Sequence, residues 1–381
     1  MNLSEITLVV AAGGRSTRMG RDKRFLDLAG ESLLARTLRK GRATGFREII
    51  LAAEGETEEL RAAAARFGAR LAVDERPAQG PAAAIAAGLA ASSSAWALVL
   101  SGDMPFYDFD LVRALLPEVR GERQVVLPTL LGYWQPLAAL YRKEAGAAFA
   151  AGIARGDRKL GIILRELAVK EVPLTVDAGL FFNVNTPAAY RLALGRIANE
   201  RRAVPMLSVA APASGTGKTT FIERLIPRLA AHGIRIAVIK SDAHGFRLDT
   251  KGKDTDRFTA AGAAAVAVSA PNGYFIEQET AERRSLTDIA EKLDRASVDV
   301  CITEGRTRGV APLFLLYRGR GTPETDERTI AFFSKAPEAA PLTEDALLRV
   351  DLDDLETAER LALFLVGRAL YGADGAMFLT M

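Results

Sequence analysis

Cysteine occurs once in these 381 residues, at Cys301, so no intramolecular disulfide can form. It lies inside the apolar segment "VDVCIT", which points to a packed core thiol rather than a reactive one. Histidine occurs only twice, at His232 and His244, both in the second half of the chain. Chemistry in the first half is therefore expected to proceed without imidazole. No apolar stretch approaches the roughly 18 uninterrupted residues of a membrane span, and no basic start with a long apolar run marks a leader. Charge of one sign is also missing: 50 basic and 47 acidic residues leave a net +3. No basic stripe is interleaved with aromatics, so neither nucleic acid nor membrane is expected as a partner. A cytoplasmic protein is the expectation.

What remains is an ordinary globular composition, 49% hydrophobic and 25% charged. The length suffices for two domains with sizeable cores. Strand-length apolar runs alternate with helix-like segments: "ITLVVAA" at 6–12, "REIILAA" at 47–53, "ARLAVD" at 69–74 and "WALVLSG" at 96–102. Near-continuous apolar runs suit strands buried on both faces of a parallel sheet. A second alternation starts at 206 with "MLSVAA", then "IRIAVIK", "AAAVAVSA", "VDVCITEG", "PLFLLYR" and "TIAFFS". Between them, "RRAVP" at 201–205 reads as a charged junction. The expected fold is α/β with two doubly wound domains: a Rossmann-like sheet over 1–201 and a P-loop NTPase-like sheet over 202–381. The tail from 336 reads as one amphipathic packing helix. Ligands of such sheets sit at the C-terminal strand ends, where the polar motifs fall.

The first motif is "AAGGRSTRMGRDK" at 11–23. Gly13 and Gly14 would let backbone N–H groups approach phosphate oxygens, and Arg15, Arg18 and Lys23 would supply mobile positive charge. The run fits neither G-x-G-x-x-G nor a Walker A loop, so spacing alone gives a nucleotide-phosphate site or a basic turn. Asp103, in "SGDMP", comes directly after a strand; its carboxylate either binds Mg²⁺ or caps the next helix. Asp74 stands similarly after the third strand. Asn183 and Asn185 alternate with Phe182 and Val184, which puts both amides on one face of a strand, unless they simply form a turn.

These segments, in this order, resemble the molybdenum cofactor guanylyltransferases over roughly residues 3–198. The resemblance rests on Ala11, Ala12, Gly13, Gly14 and the run to Asp22-Lys23, on "DERPAQGPAAA" at 74–84, on "SGDMP", on "QPLAALY" at 135–141 and on "FFNVNTPAAY" at 181–190. It departs from the family's pattern at the leading Leu and after Pro81. The resemblance implies transfer of GMP from GTP to molybdopterin with release of pyrophosphate. It also implies Arg18, Lys23 and Asp103 as catalytic residues, Asp74, Asn183 and Asn185 near the nucleotide, and Mg²⁺ on Asp103.

The second motif is "ASGTGKTT" at 213–220. Gly215, Thr216 and Gly217 would open a nest of amides, Lys218 would reach the β- and γ-phosphates, and Thr219, followed by Thr220, would hold Mg²⁺. Pro212 replaces the usual first glycine. With Lys240, "GKDT" at 252–255 and "DVCITEG" at 299–305, this half resembles the molybdopterin-guanine dinucleotide biosynthesis adapter proteins over roughly 205–335. The resemblance implies GTP binding, with Glu304 reaching Mg²⁺ through water and a weak GTPase activity as an accessory possibility. Ser241 stands where that family commonly has His. Transient contact with molybdoenzymes or other cofactor-synthesis proteins is a further expectation. The rival readings are a cytidylyl- or sugar-phosphate nucleotidyltransferase joined to a P-loop kinase, and a GTP-regulated cofactor carrier.

Overall fold

The computed structural model describes residues 1–12, 22–74, 80–157, 159–242, 254–278, 280, 282–305, 311–336 and 347–369. In the first part of the chain the strands are β1 Thr7–Ala11, β2 Glu48–Ala53, β3 Arg70–Val73, β4 Trp96–Ser101, β5 Val125–Leu130, β6 Tyr133–Trp134, β7 Ala138–Arg142 and β8 Val169–Leu174. They form one sheet of order β3-β2-β1-β4-β7-β5-β6, with β8 paired to β5. The apolar runs at 6–12, 47–53, 69–74 and 96–102 become β1 to β4, all parallel. Beyond β4 the sheet is mixed, because β7 runs antiparallel to both β4 and β5.

The second set is β9 Met206–Ala210, β10 Ile236–Lys240, β11 Ala265–Ala270, β12 Gly273–Gln278, β13 Val300–Gly305, β14 Leu313–Tyr317, β15 Thr329–Ser334 and β16 Leu348–Asp351. Six of these form an all-parallel sheet of order β10-β13-β9-β14-β15-β16. Two expectations are corrected here. The run at 263–270 leaves this sheet and pairs antiparallel with β12 in a separate hairpin. Its side chains are mostly exposed, so its alternation served a two-stranded ribbon rather than a buried strand. The tail is not one helix: it contributes β16 before its helix, because Leu348 and Val350 alternate with polar neighbours at a sheet edge.

The helices are α1 Leu33–Thr44, α2 Glu58–Phe67, α3 Pro81–Ala91, α4 Val112–Leu115, α5 Ala145–Ala154, α6 Leu160–Leu164, α7 Pro187–Glu200, α8 Lys218–Ala231, α9 Asp254–Ala260, α10 Leu286–Ala290 and α11 Leu355–Leu365. Their starts are legible. Ser32, Thr57 and Thr186 each accept a hydrogen bond from a backbone N–H of the first turn, and Pro187 occupies a position where its missing N–H costs nothing.

Along β1, Leu8 and Val10 point to one face of the sheet and Val9 and Ala11 to the other. The core on the Val9 face is closed by α3 and α5. The core on the Leu8 face runs on, without a break, into the second sheet and α11. Helix α7 carries that continuity, packing on β15 and α11. It can do so because Gly195 has no Cβ: one placed there would lie 3.0 Å from Ile330 and Leu365 side-chain carbons. Asn199 seals the joint, its amide donating to Met206 O and Leu365 O and accepting from Met206 N.

Candidate functional site

The C-terminal ends of β1 and β4 are locked together by Gly102 N donating to Ala11 O at 2.9 Å, and Ala12 N reaches Ala52 O at 2.8 Å. Ala11 and Ala12 are buried, so the chain leaves β1 at a fixed point. It returns at Asp22, which caps the short turn Lys23–Phe25 by accepting from Arg24 N. Arg24 chelates the Asp22 carboxylate and donates to Ala12 O at 3.0 Å, pinning the return beside β1. These bonds also draw the Asp22 carboxyl below its ordinary range despite the opposing effect of its burial.

Lys23 is thereby aimed across the strand ends. Its ammonium lies 2.5 Å from Asp103 Oδ2 and 2.6 Å from Asn185 Oδ1. The other Asp103 oxygen accepts from Ser101 Oγ at 2.6 Å, and Asp103 is 8% exposed. Val184 N donates to Asp103 O at 3.0 Å and fixes the asparagine segment against the aspartate turn. Three of the expected residues, distant in sequence, thus meet at one point. Two hard oxygens, one of them a carboxylate, converge there on a single cation. That donor set suits Mg²⁺ whose shell is completed by phosphate oxygens. Among the described residues no group of three or more His, Cys, Asp or Glu could hold a metal ion.

The remaining expected residues fall differently. Gly13, Gly14, Arg15 and Arg18 lie outside the described residues. Asp74 continues the β2–β3 register through its N–H to Ala53 O at 2.9 Å. It follows β3, an edge strand, which lies three strands away from β4, the strand that leads to Asp103. Residues 182–185 belong to no strand, which corrects that expectation. The alternation survives, with Phe182 and Val184 buried, Asn183 half-buried and Asn185 exposed. The Asn183 amide donates to Phe181 O at 3.1 Å rather than joining Lys23. Ser101 was not expected; its place in "SGD", two residues before the aspartate, was the available signal.

The second loop links β9 to α8. Gly215 and Gly217 have φ of +71° and +89°, conformations that side chains rarely adopt. Thr216 is buried, with its hydroxyl on Ala213 O at 2.7 Å. Lys218 opens α8, and Thr220 is exposed two residues further on. Thr219 Oγ1 donates to Glu304 Oε1 at 2.7 Å, bringing together the two expected metal-side residues from α8 and β13. His244 and residues 251–253 lie outside the described residues.

The turn after β14 was missed by sequence reasoning. Gly321 sits against Pro212, at 3.1 Å from where a Cβ would lie, and the Arg318 guanidinium lies 3.5 Å from the corresponding point on Gly217. This turn flanks the loop at both ends and presents an exposed cation beside it. The "RGRG" run after a strand was its signal.

A MobA-like NTP transferase domain matches residues 8–172, and molybdopterin guanine dinucleotide synthesis protein B matches residues 206–335. The molybdenum cofactor guanylyltransferase of Pseudomonas putida is 30% identical over 183 residues, 48% of this chain and 93% of that protein. The molybdopterin-guanine dinucleotide biosynthesis adapter proteins of Haemophilus influenzae and Escherichia coli are each 36% identical, over 137 and 160 residues. Those matches cover 35% and 40% of this chain and 76% and 88% of the two proteins. The chain therefore belongs to the molybdenum cofactor guanylyltransferases in its first half and to the molybdopterin-guanine dinucleotide biosynthesis adapter proteins in its second.

Proposed function

We propose that the first site transfers a guanylyl group from GTP to the terminal phosphate of molybdopterin, within a unit spanning residues 1–201. The observation that carries this is the convergence of Lys23, Asp103 and Asn185 at the strand ends. A phosphate-monoester oxygen attacks the α-phosphorus and forms the new bond. The bond from that phosphorus to the bridging oxygen breaks, and pyrophosphate leaves with the electron pair. The nucleophile is already anionic at neutral pH, so no strong general base is needed. The task is to hold two anions together and to balance charge on the leaving group.

Lys23, with Arg18, supplies that balance. The backbone from Ala11 to Gly14 cradles the phosphates, and Asp74 and Asn183 contact the nucleotide from either side. Asp103 and Asn185 would hold Mg²⁺, which supplies Lewis-acid charge on the phosphates when bound. The reading places this chemistry in the cytoplasm, where GTP is made. Among the described residues no helix is long and apolar enough to cross a membrane.

For residues 202–381 we propose GTP binding in an assisting role. Gly215 to Thr220 embrace the phosphates, Thr219 and Glu304 stand on the Mg²⁺ side, and Arg318 is an added cation. The geometry supports nucleotide binding and gives no support to hydrolysis. Hand-over of product to molybdoenzymes or other cofactor-synthesis proteins is the role this reading leaves for that half.

Mass spectrometry of the product from the intact chain tests the proposal, with molybdopterin, Mg²⁺ and each nucleoside triphosphate in turn. A guanine dinucleotide with GTP alone supports it. A product with CTP but not GTP moves the chain to the cytidylyl enzymes, and binding without any product makes it a carrier.

A further inference from the structure

The turn that carries Asp103 and the segment that carries Asn185 are joined by a hydrogen bond from Val184 N to Asp103 O. Phe106 comes three residues after the aspartate, and Phe182 precedes Val184 by two. Both rings rest on a third, Phe364, which comes from α11 at the far end of the second half. The centroid of Phe364 lies 4.5 Å from that of Phe182 and 5.7 Å from that of Phe106. The three rings are at most 3% exposed.

Arg196 of α7 completes the cluster. Its guanidinium carbon stands 4.6 Å from the Phe106 centroid and 4.9 Å from that of Phe364. Nη2 is held by Asp177 Oδ2 at 2.6 Å, and Nη1 is buried and makes no hydrogen bond among the described residues. The second Asp177 oxygen accepts from Ala369 N at 2.7 Å, so the residues after α11 are bonded to the first half as well. On its other side α11 is tied to α8, the helix of the second loop, where Glu359 accepts from Arg228 and meets His232, each at 2.6 Å.

A ring removed from this cluster leaves a void between two site-bearing segments rather than within one. We propose that Phe364 and Arg196 are positioning residues for the first site. They set the separation of Asp103 and Asn185 through Phe106 and Phe182, and make the last helix of the second half a structural part of the transfer site. Neither touches substrate. The inference rests on the guanylyl-transfer reading. Misplacement of reacting groups by about 1 Å costs on the order of 100-fold in rate, so the effect belongs in kcat.

The test measures kcat and KM for GTP in the full chain, with molybdopterin and saturating Mg²⁺, below each variant's melting temperature. Phe364→Ala is expected to lower kcat about 10- to 100-fold with KM for GTP little changed. Phe364→Leu is expected to recover most of the loss, and Arg196→Lys to reproduce part of it. Ile163→Ala serves as the control: Ile163 is fully buried on the opposite face of the first sheet, so its loss should lower the melting temperature and spare kcat. If Phe364→Ala fails to fold, Phe364→Leu and Arg196→Lys carry the same comparison. Wild-type kcat in Phe364→Ala, or in Arg196→Lys where that variant stands in, overturns the proposal. So does an equal loss in Ile163→Ala. A wild-type chain that forms no guanylylated product overturns the reading of the first site itself.

Discussion

The Lys23 ammonium stands 2.5 Å from the Asp103 carboxylate although 80 positions separate them in the chain. In the free protein the pair neutralises itself; in the proposed reaction Lys23 turns to a phosphate and Asp103 to a metal ion. Asp103→Asn keeps the shape and removes the charge. Transfer should fall by about two to three orders of magnitude while the melting temperature stays close to wild type. Steady-state pyrophosphate release beside a thermal melt checks this.

Two nucleotide sites imply a stoichiometry. Calorimetric titration with a non-hydrolysable GTP analogue should give two sites per chain, and Lys218→Ala should give one. The remaining site should be lost on adding Lys23→Met to that variant. A single site in the wild-type chain would contradict the assignment.

Glu48 offers a pH test. Partial burial opposes its ionisation, but bonds from Ser93 N and Oγ, Thr7 Oγ1 and Arg70 outweigh it and draw the carboxyl from 4.5 down to about 2. A depressed carboxyl stabilises the fold fully above its unfolded value and less as pH falls through the folded one. Stability should therefore decline between about pH 4.5 and pH 2. Glu48→Gln should flatten that decline and cost about 1–3 kcal/mol at pH 7 in urea titrations.

Burial pushes the Cys301 thiol up to about 11. Iodoacetamide at about pH 8 should leave the folded chain unlabelled for hours and label it stoichiometrically in urea. Rapid labelling of the native chain would mean that β13 opens.

Gly195 is the close approach between α7 and the second sheet. Gly195→Leu should cost about 1–3 kcal/mol through overpacking, seen as a lower urea midpoint.

Much of this arrangement was legible in the sequence, and the reasons are local. Apolar runs near β-strand length located ten of the strands to within two residues at either end, and in seven of them burial accounts for the lack of polar interruption. Asp103 and Lys23 were legible because one comes directly after a strand and the other closes the glycine-rich motif. What escaped depends on partners far away. The antiparallel β7 reads like any apolar strand, since direction is set by the chain on either side. The hairpin at 265–278 alternates like a core strand but finds no sheet. Phe364 and Arg196 carry no local signature; their roles depend on which segments the two sheets bring against them.

The bond from Ala369 N to Asp177, and the ring of Phe364 beneath the aspartate turn, bear on the order in which the protein is made. On the ribosome, residues 1–201 emerge with every side chain of the transfer site already synthesised. The piece that closes the floor of that site arrives more than a hundred and fifty residues later. On the positioning role proposed for Phe364, a nascent chain carries an unfinished site until α11 docks, and synthesis of the second half times the maturation of the first.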